Sequence, residues 1–427
     1  MGESTTTLDI LKDLIRIDTQ NPPGNEHALV AYLHAWCERL DLDHTVYSYG
    51  EGRDNILIRM GKPKGRNLVV LGHMDVVVAD PESWCIPPFA GEVKDGYLYG
   101  RGTLDMKYFI AASLSTMETL KQLESLLDRQ VVFLFTADEE TGSAFGLPRV
   151  LEEPGVAELL ADSVVLNEGG GFALFKDGSC HYLYETGQKS VGRLRVSVRR
   201  LADSNPYFPS MEHERIMVEV IDRLQGLQID TSIPDTVVSL RKAFMDHSCG
   251  DSKLNRLIDT MSSSMVTATM VEGGSRNLKL ADDVKVQIDF DCRLLPNVEK
   301  SEFEKKIETA LSGLPVTHEL LRFSPGYEAR IDDALIELLT GVLRRHEPEV
   351  DKLLPFITPG SNDGKYLRSL GCDVVGFAPL AKNQTFTDIM PLIHGVDERI
   401  SLESIEFCAL VLRDVCIEYL TGDSYHG

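Results

Sequence analysis

LVVLGHMD (residues 68–75) sets four apolar positions and a glycine before a histidine and an acid spaced two apart. Consecutive apolar residues without polar alternation suit a strand buried on both faces, as in a parallel sheet. The same texture returns in VVFLFTADEE (131–140) and VVLNEGG (164–170). Each run ends in titratable side chains: His73 and Asp75, then Glu139 and Glu140, then Glu168. In open α/β sheets, ligands bind beyond the carboxyl ends of the strands. Three segments thus deliver imidazole and carboxylates to one rim.

Outward from these runs, residues 7–17, 26–40 and 108–127 carry helical apolar spacing, and NPPG (21–24) marks a turn. Residues 55–58 form a further short apolar run. Strands alternating with helices predict an α/β domain with a mixed, largely parallel sheet flanked by helices. Past Gly187 the texture changes. Residues 191–199, 266–271 and 284–290 alternate like strands with one wet face, and helices are expected near 211–226 and 301–312. This predicts a small α+β domain, residues 189–316, inserted into a larger one built from residues 1–188 and 317–427.

A chain of 427 residues is too long for one ordinary core, which agrees with two domains. The net charge of −23 repels nucleic acid and anionic membranes, so neither is expected as a partner. No apolar run approaches the roughly 20 residues of a membrane helix. MGESTTTLDILKDLIRIDTQ (1–20) has no basic start followed by an apolar stretch, so no secretory signal is read there. Gly2 and Thr6 fit the short myristoylation pattern, but the segment reads as the start of an amphipathic helix. Eight cysteines show no regular spacing, which indicates neither a disulfide framework nor a thiolate zinc site. A reducing cytoplasm is the expected setting.

Asp105 joins the rim from GRGTLDMK (100–107), a glycine-rich turn that opens a helix, and His394 from LIHGVDERIS (392–401). Imidazole nitrogen and carboxylate oxygen are the ligands zinc takes when thiolate is absent. Two histidines and three carboxylates suit two divalent ions sharing a carboxylate. Such a pair polarises a carbonyl and lowers the pKa of a water. Zinc is the first expectation, and cobalt or manganese suit the same donors. Asp75 can accept the second N–H of His73 and fix its tautomer. Glu139 can take a proton from water and pass it to a leaving nitrogen.

IDTQNPPGNE (17–26), LGHMDVV (71–77), residues 84–107, TADEETGS (136–143), NEGG (167–170), PGSNDGKYLR (359–368) and IHGVDERIS (393–401) together resemble the M20 metallopeptidase family. That family includes aminoacylase, acetylornithine deacetylase, succinyl-diaminopimelate desuccinylase, carnosinase and carboxypeptidase S. The resemblance implies metal-dependent hydrolysis of an N-acyl amino acid or small peptide. It implies His73, Asp105 (as bridge), Glu140, Glu168 and His394 as metal ligands, Asp75 as orienting acid and Glu139 as general base. It implies a cis Asp105–Met106 peptide, and a role for residues 189–316 as a lid and dimerisation domain in a homodimer. VEGGSRN (271–277) and FDCRLLP (290–296) resemble lid segments and bring in Asn277 and Arg293 as substrate-binding residues.

Two positions depart from the family pattern. LADSNP (201–206) has Ala202 where a lid histidine that stabilises the oxyanion is expected. A substitute donor is expected from Asn277, with Asn205, His213 and Arg276 as the other lid candidates. Lys365 stands where many members carry a substrate-gripping arginine, keeping the charge but losing the bidentate fork. The alternative reading is a metal-binding homologue with weak catalysis that serves as a binding or regulatory protein. The retained Glu139 argues against it.

Overall fold

In the computed structural model, which describes residues 5–198, 212–229, 232–245, 252–273 and 286–422, the three apolar runs are neighbouring strands. Leu68–His73 lies parallel between Gln130–Thr136 and Val164–Asn167. Asp373–Gly376 extends the parallel block beyond Val164–Asn167. Every residue of Leu68–His73, Gln130–Thr136 and Val164–Asn167 is buried, as a sheet covered on both faces requires.

The sheet has ten strands, and these four form its parallel block. Asp54–Gly61 and then Asp43–Ser48 flank it antiparallel on one side, and Ser179–Gln188 and then Phe172–Lys176 on the other. This block is narrower than strand–helix alternation predicts, and for the outermost pair, Phe172–Lys176 with Ser179–Gln188, the reason is local. Asp177 and Gly178 take φ of 49° and 84° between the last two strands. An Asp-Gly pair with both φ positive makes a tight hairpin, which reverses the chain and forces antiparallel pairing.

Alternation divides the apolar side chains between the two faces. Val69, Leu71, Val132, Leu134 and Val165 pack with Leu147, Val150, Val156, Leu160 and Leu367 from three short helices. Val70, Phe133 and Phe135, also fully buried, point to the other face. There the helices Lys107–Gln122 and Leu402–Thr421 pack on each other and on the sheet, and Thr7–Arg16 packs on both. Thr7–Arg16 starts with a capping box between Thr6 and Asp9 and buries Ile10, Leu11, Leu14 and Ile15.

The chain divides into two compact units. One comprises residues 1–186, 329–355 and 362–427, the other residues 187–328 and 356–361. The return to the large unit therefore comes at Ala329 and not near residue 317. The strand Val316–Ser324 pairs with Ser190–Val198 and so belongs to the small unit. That unit holds a four-stranded antiparallel sheet, ordered Met265–Gly273, Val286–Leu294, Ser190–Val198, Val316–Ser324. Leu194, Val196, Ile288, Phe290 and Cys292 face the helices Glu212–Gln225 and Lys300–Leu311 through Val220, Leu224, Phe303 and Ile307. Two further helices, Asp235–Met245 and Ser252–Ser262, have no counterpart in the sequence reading.

The opposite face of the small sheet carries a buried charge. Asp289 is fully buried and accepts from Arg195 Nε at 2.7 Å and Nη2 at 2.9 Å. The Arg195 hydrogen bonds hold the Asp289 carboxyl below its ordinary range, against the opposing pull of burial. A carboxyl with a depressed folded-state pKa adds stability above its unfolded pKa and loses it as pH falls through the folded value. Asp289→Asn is therefore expected to lower small-unit stability by about 1 kcal/mol at pH 7. The gap to the parent should close as pH drops below about 4. Urea unfolding of both proteins at pH 7 and pH 3 measures it.

Candidate metal centre

Each parallel strand delivers its polar residues at its carboxyl end. His73 is the last residue of its strand and pairs in register with Thr136, so both strands finish at one height. Glu139 and Glu140 follow in a short 3-10 turn after Asp138, whose φ of 69° reverses the backbone. Glu168 directly follows Val164–Asn167. Asp105 stands two residues before the helix Lys107–Gln122, and its peptide to Met106 is cis, as the resemblance implies. His394 adopts a left-handed φ of 58° before Gly395.

These side chains converge. Asp105 Oδ1 lies 2.9 Å from His73 Nε2, and Asp105 Oδ2 lies 3.1 Å from His394 Nε2. Glu140 Oε2 is 3.1 Å from His394 Nε2, and Glu168 Oε2 is 3.5 Å from His73 Nε2. His73, Asp105 and Glu140 offer ligand atoms within 4.8 Å of one another, and so do His73, Glu139 and Glu168.

Residues 69–418 match the model of Peptidase family M20/M25/M40. The chain belongs to this family. It is a hydrolase of amide or peptide bonds, from a metal-dependent family. Among curated relatives, a succinyl-diaminopimelate desuccinylase of Bradyrhizobium sp. (strain ORS 278) is 26% identical over 97% of this chain and 99% of its own. Among solved structures, the M20 family metallo-carboxypeptidase Sso-CP2 from Sulfolobus solfataricus has a TM-score of 0.71 at 16% identity, covering 97% of this chain and 98% of that one. The YXEP protein of Bacillus subtilis, described as a dinuclear metal binding peptidase, has a TM-score of 0.57 at 14% identity, covering 97% of each chain. At such identities the two structures speak to the fold alone.

The residues of this family member fit a divalent cation. The donors are nitrogen and oxygen, as zinc accepts. Among the described residues, Glu140 Oε1 is buried with no hydrogen-bond partner. The rim is also short of positive charge. Burial, and then neighbouring carboxylates, push Glu139 and Glu140 up and Glu168 to about 7. Burial works to lower the two histidines, yet Glu168, Asp105 and Asp75 carry His73 well above its ordinary value. Asp105 and Glu140 likewise carry His394 to about 11.

Asp75 holds its place differently from the expectation. The acceptor nearest His73 Nδ1 is the main-chain oxygen of Asp75 at 3.0 Å, and the carboxylate is 3.7 Å away. The carboxylate instead accepts the N–H of Glu139 at 3.0 Å and of Glu140 at 3.1 Å. It positions the glutamate turn, and the main chain orients the imidazole. Lys365 lies on the short helix Gly364–Arg368 in the large unit, its Nζ 4.9 Å from the Tyr366 ring centroid. Arg293 lies in the small unit, where it donates to Asp291 and to the Pro359 carbonyl. Ala202, Asn205, Arg276 and Asn277 fall outside the described residues, and His213 falls within the helix Glu212–Gln225.

Sequence reading missed the groups that hold the rim in place. Glu398 is fully buried and accepts from the N–H groups of Gly102, Leu104 and Asp105 and from Arg101 Nη1 at 2.6 Å. Asn21 Nδ2 lies within donor range of Asp75 Oδ2, Asp138 Oδ1 and Thr141 Oγ1. Arg53 reaches Asn21, Asp138 and Glu26. Asp363 accepts from Ser143 and Thr136. The available signal was motif length. The quoted stretches around residues 17–26, 100–107, 359–368 and 393–401 contain more polar residues than a ligand set uses.

Glu398→Gln leaves Arg101 without its carboxylate and loosens the loop that carries Asp105. Metal affinity should fall about 10–100-fold, as when a group supporting a ligand is lost. Metal retained per chain after dialysis against graded chelator measures it.

Proposed function

We propose that the protein hydrolyses the amide bond of an N-acyl amino acid or small peptide, using two divalent ions, zinc by preference. The observation that carries this reading is Asp105, which presents one oxygen to each histidine at 2.9 and 3.1 Å. Asp105 would be the shared carboxylate, with His73 and Glu168 holding one ion and His394 and Glu140 the other. When bound, the ions supply Lewis acidity that polarises the scissile carbonyl and makes water acidic enough to attack near neutral pH.

The chain's own residues do the rest. Glu139 takes one proton from the attacking water as its oxygen adds to the carbonyl carbon. The C–N bond then breaks, Glu139 returns the proton to the departing nitrogen, and a carboxylic acid and an amine form, the water's second proton passing from the acid to the amine as they leave. The Asp75 carboxylate keeps Glu139 at its station by accepting its main-chain N–H. Substrate contacts are assigned to Asn277, Lys365 and Arg293, and a lid and dimerisation role to the small unit. Both assignments rest on the resemblance. The desuccinylase relative supplies the first substrate to try, an N-succinyl amino acid.

Glu139→Gln is expected to keep the metal content of the parent while turnover falls about 10²–10⁴-fold, since it removes a proton carrier and not a ligand. The measurement is kcat on the best substrate from a screen of N-acyl amino acids and dipeptides, beside metal per chain. Parallel loss of metal and activity would make Glu139 a ligand, a placement its triad with His73 and Glu168 also allows.

A further inference from the structure

We propose that His34, Glu38 and His44 form a second metal site, on the surface of the large unit, for a borderline divalent ion such as Zn²⁺. His34 and Glu38 stand one turn apart on the helix Glu26–Leu40, and spacing i, i+4 puts them on one face. The helix ends at Asp41, whose φ of 51° turns the chain back into the strand Asp43–Ser48. That turn lays His44 against the same helix face. His34 Nδ1 and His44 Nε2 are 2.8 Å apart, and Glu38 Oε1 is 3.8 Å from His44 Nε2. The three offer ligand atoms within 4.8 Å of one another.

The protonation of His44 is what points to a cation. Its Nδ1 lies 2.8 Å from the main-chain oxygen of Leu42, which can only accept. The ring proton of neutral His44 therefore sits on Nδ1, and Nε2 presents a lone pair. A backbone carbonyl holding the far nitrogen is the usual support of a metal-bound histidine. Glu38 adds a second acceptor beside that lone pair. One N–H on His34 can serve only one of the two, so the cluster has more lone pairs than protons. A dication satisfies all three donors at once.

The dimensions suit it. Ligands at 2.0–2.1 Å from a tetrahedral zinc lie roughly 3.3 Å apart. Small movements of His34 and Glu38, both exposed, open the nitrogen pair and draw in the carboxylate. His44 is the fixed member, its side chain only 12% exposed. Water completes the coordination. Two imidazoles and one carboxylate favour zinc or copper over magnesium or calcium. The ion would clip the helix to the edge strand it leads into, so its occupancy should raise thermal stability by mass action.

The test compares the parent with His34→Ala, His34→Gln and Glu38→Gln, all sharing one intact catalytic rim. Each protein is dialysed to equilibrium against graded Zn²⁺, and bound zinc per chain, melting temperature and hydrolytic rate are measured. Both His34 variants are expected to bind one zinc fewer than the parent, to lose the zinc-dependent rise in melting temperature that accompanies it, and to keep the parent's rate. Glu38→Gln should weaken that extra ion at least tenfold. Equal zinc counts in the parent and both His34 variants at every concentration would overturn the proposal, leaving an ordinary hydrogen bond between two imidazoles. The count is a difference between proteins, so it holds whatever number of ions the catalytic rim binds.

Discussion

Among the described residues, five carboxylates crowd one rim with two imidazoles: Asp75, Asp105, Glu139, Glu140 and Glu168, with His73 and His394. Holding like charges this close, away from bulk water, is the constraint that the rest of the large unit serves. Each carboxylate needs donors or a cation, since a buried charge without either costs several kcal/mol. Part of that compensation comes from the backbone. The Asp75 carboxylate takes two main-chain N–H groups, from Glu139 and Glu140. What the backbone leaves uncompensated, a divalent ion is suited to supply.

The remaining support is shared between segments. Glu398, four residues past His394, clamps the loop that carries Asp105. One stretch of chain thus fixes both a histidine and the carboxylate facing it. Asn21 and Arg53 do the same for Asp75 and Asp138, which makes the turn at residues 21–24 part of the site's scaffold. Displacing any of these groups would move several rim residues together, because few of them answer to a single neighbour.

The sequence was most legible where a single physical rule acts. Fully apolar runs ending in His73, Glu139 and Glu168 could be read as strands of a covered sheet, and the ends of those strands as a site. Elsewhere two rules competed. Strand–helix alternation suggested a wider parallel block than forms, because the hairpin at Asp177–Gly178 settles the outer strands locally. The return to the large unit was placed too early, because the strand Val316–Ser324 finds its partner more than a hundred residues back in the chain. The spacing of His73 and Asp75 suggested a contact between side chains, whereas the main-chain oxygen lies nearer. Asn21 and Glu398 lie inside matching motifs and Arg53 outside every one, but a linear sequence does not tell a buried polar group with partners from a solvated one.

His394 reaches the rim from near the far end of the chain, 289 positions after the Asp105 whose oxygen it meets (394 − 105). During synthesis, a nascent polypeptide can already display His73, Asp105, Glu139, Glu140 and Glu168 while lacking the histidine and the Glu398 clamp. The helix Leu402–Thr421, which follows His394 and Glu398 in the chain, packs against Lys107–Gln122, which follows Asp105. Fragments released by premature termination or by proteolysis between residues 168 and 394 would keep His73, Asp105, Glu139, Glu140 and Glu168 and lack both His394 and the Glu398 clamp. The meeting of Asp105 with His394 is in this sense withheld until synthesis has passed residue 394, by the order in which the chain emerges.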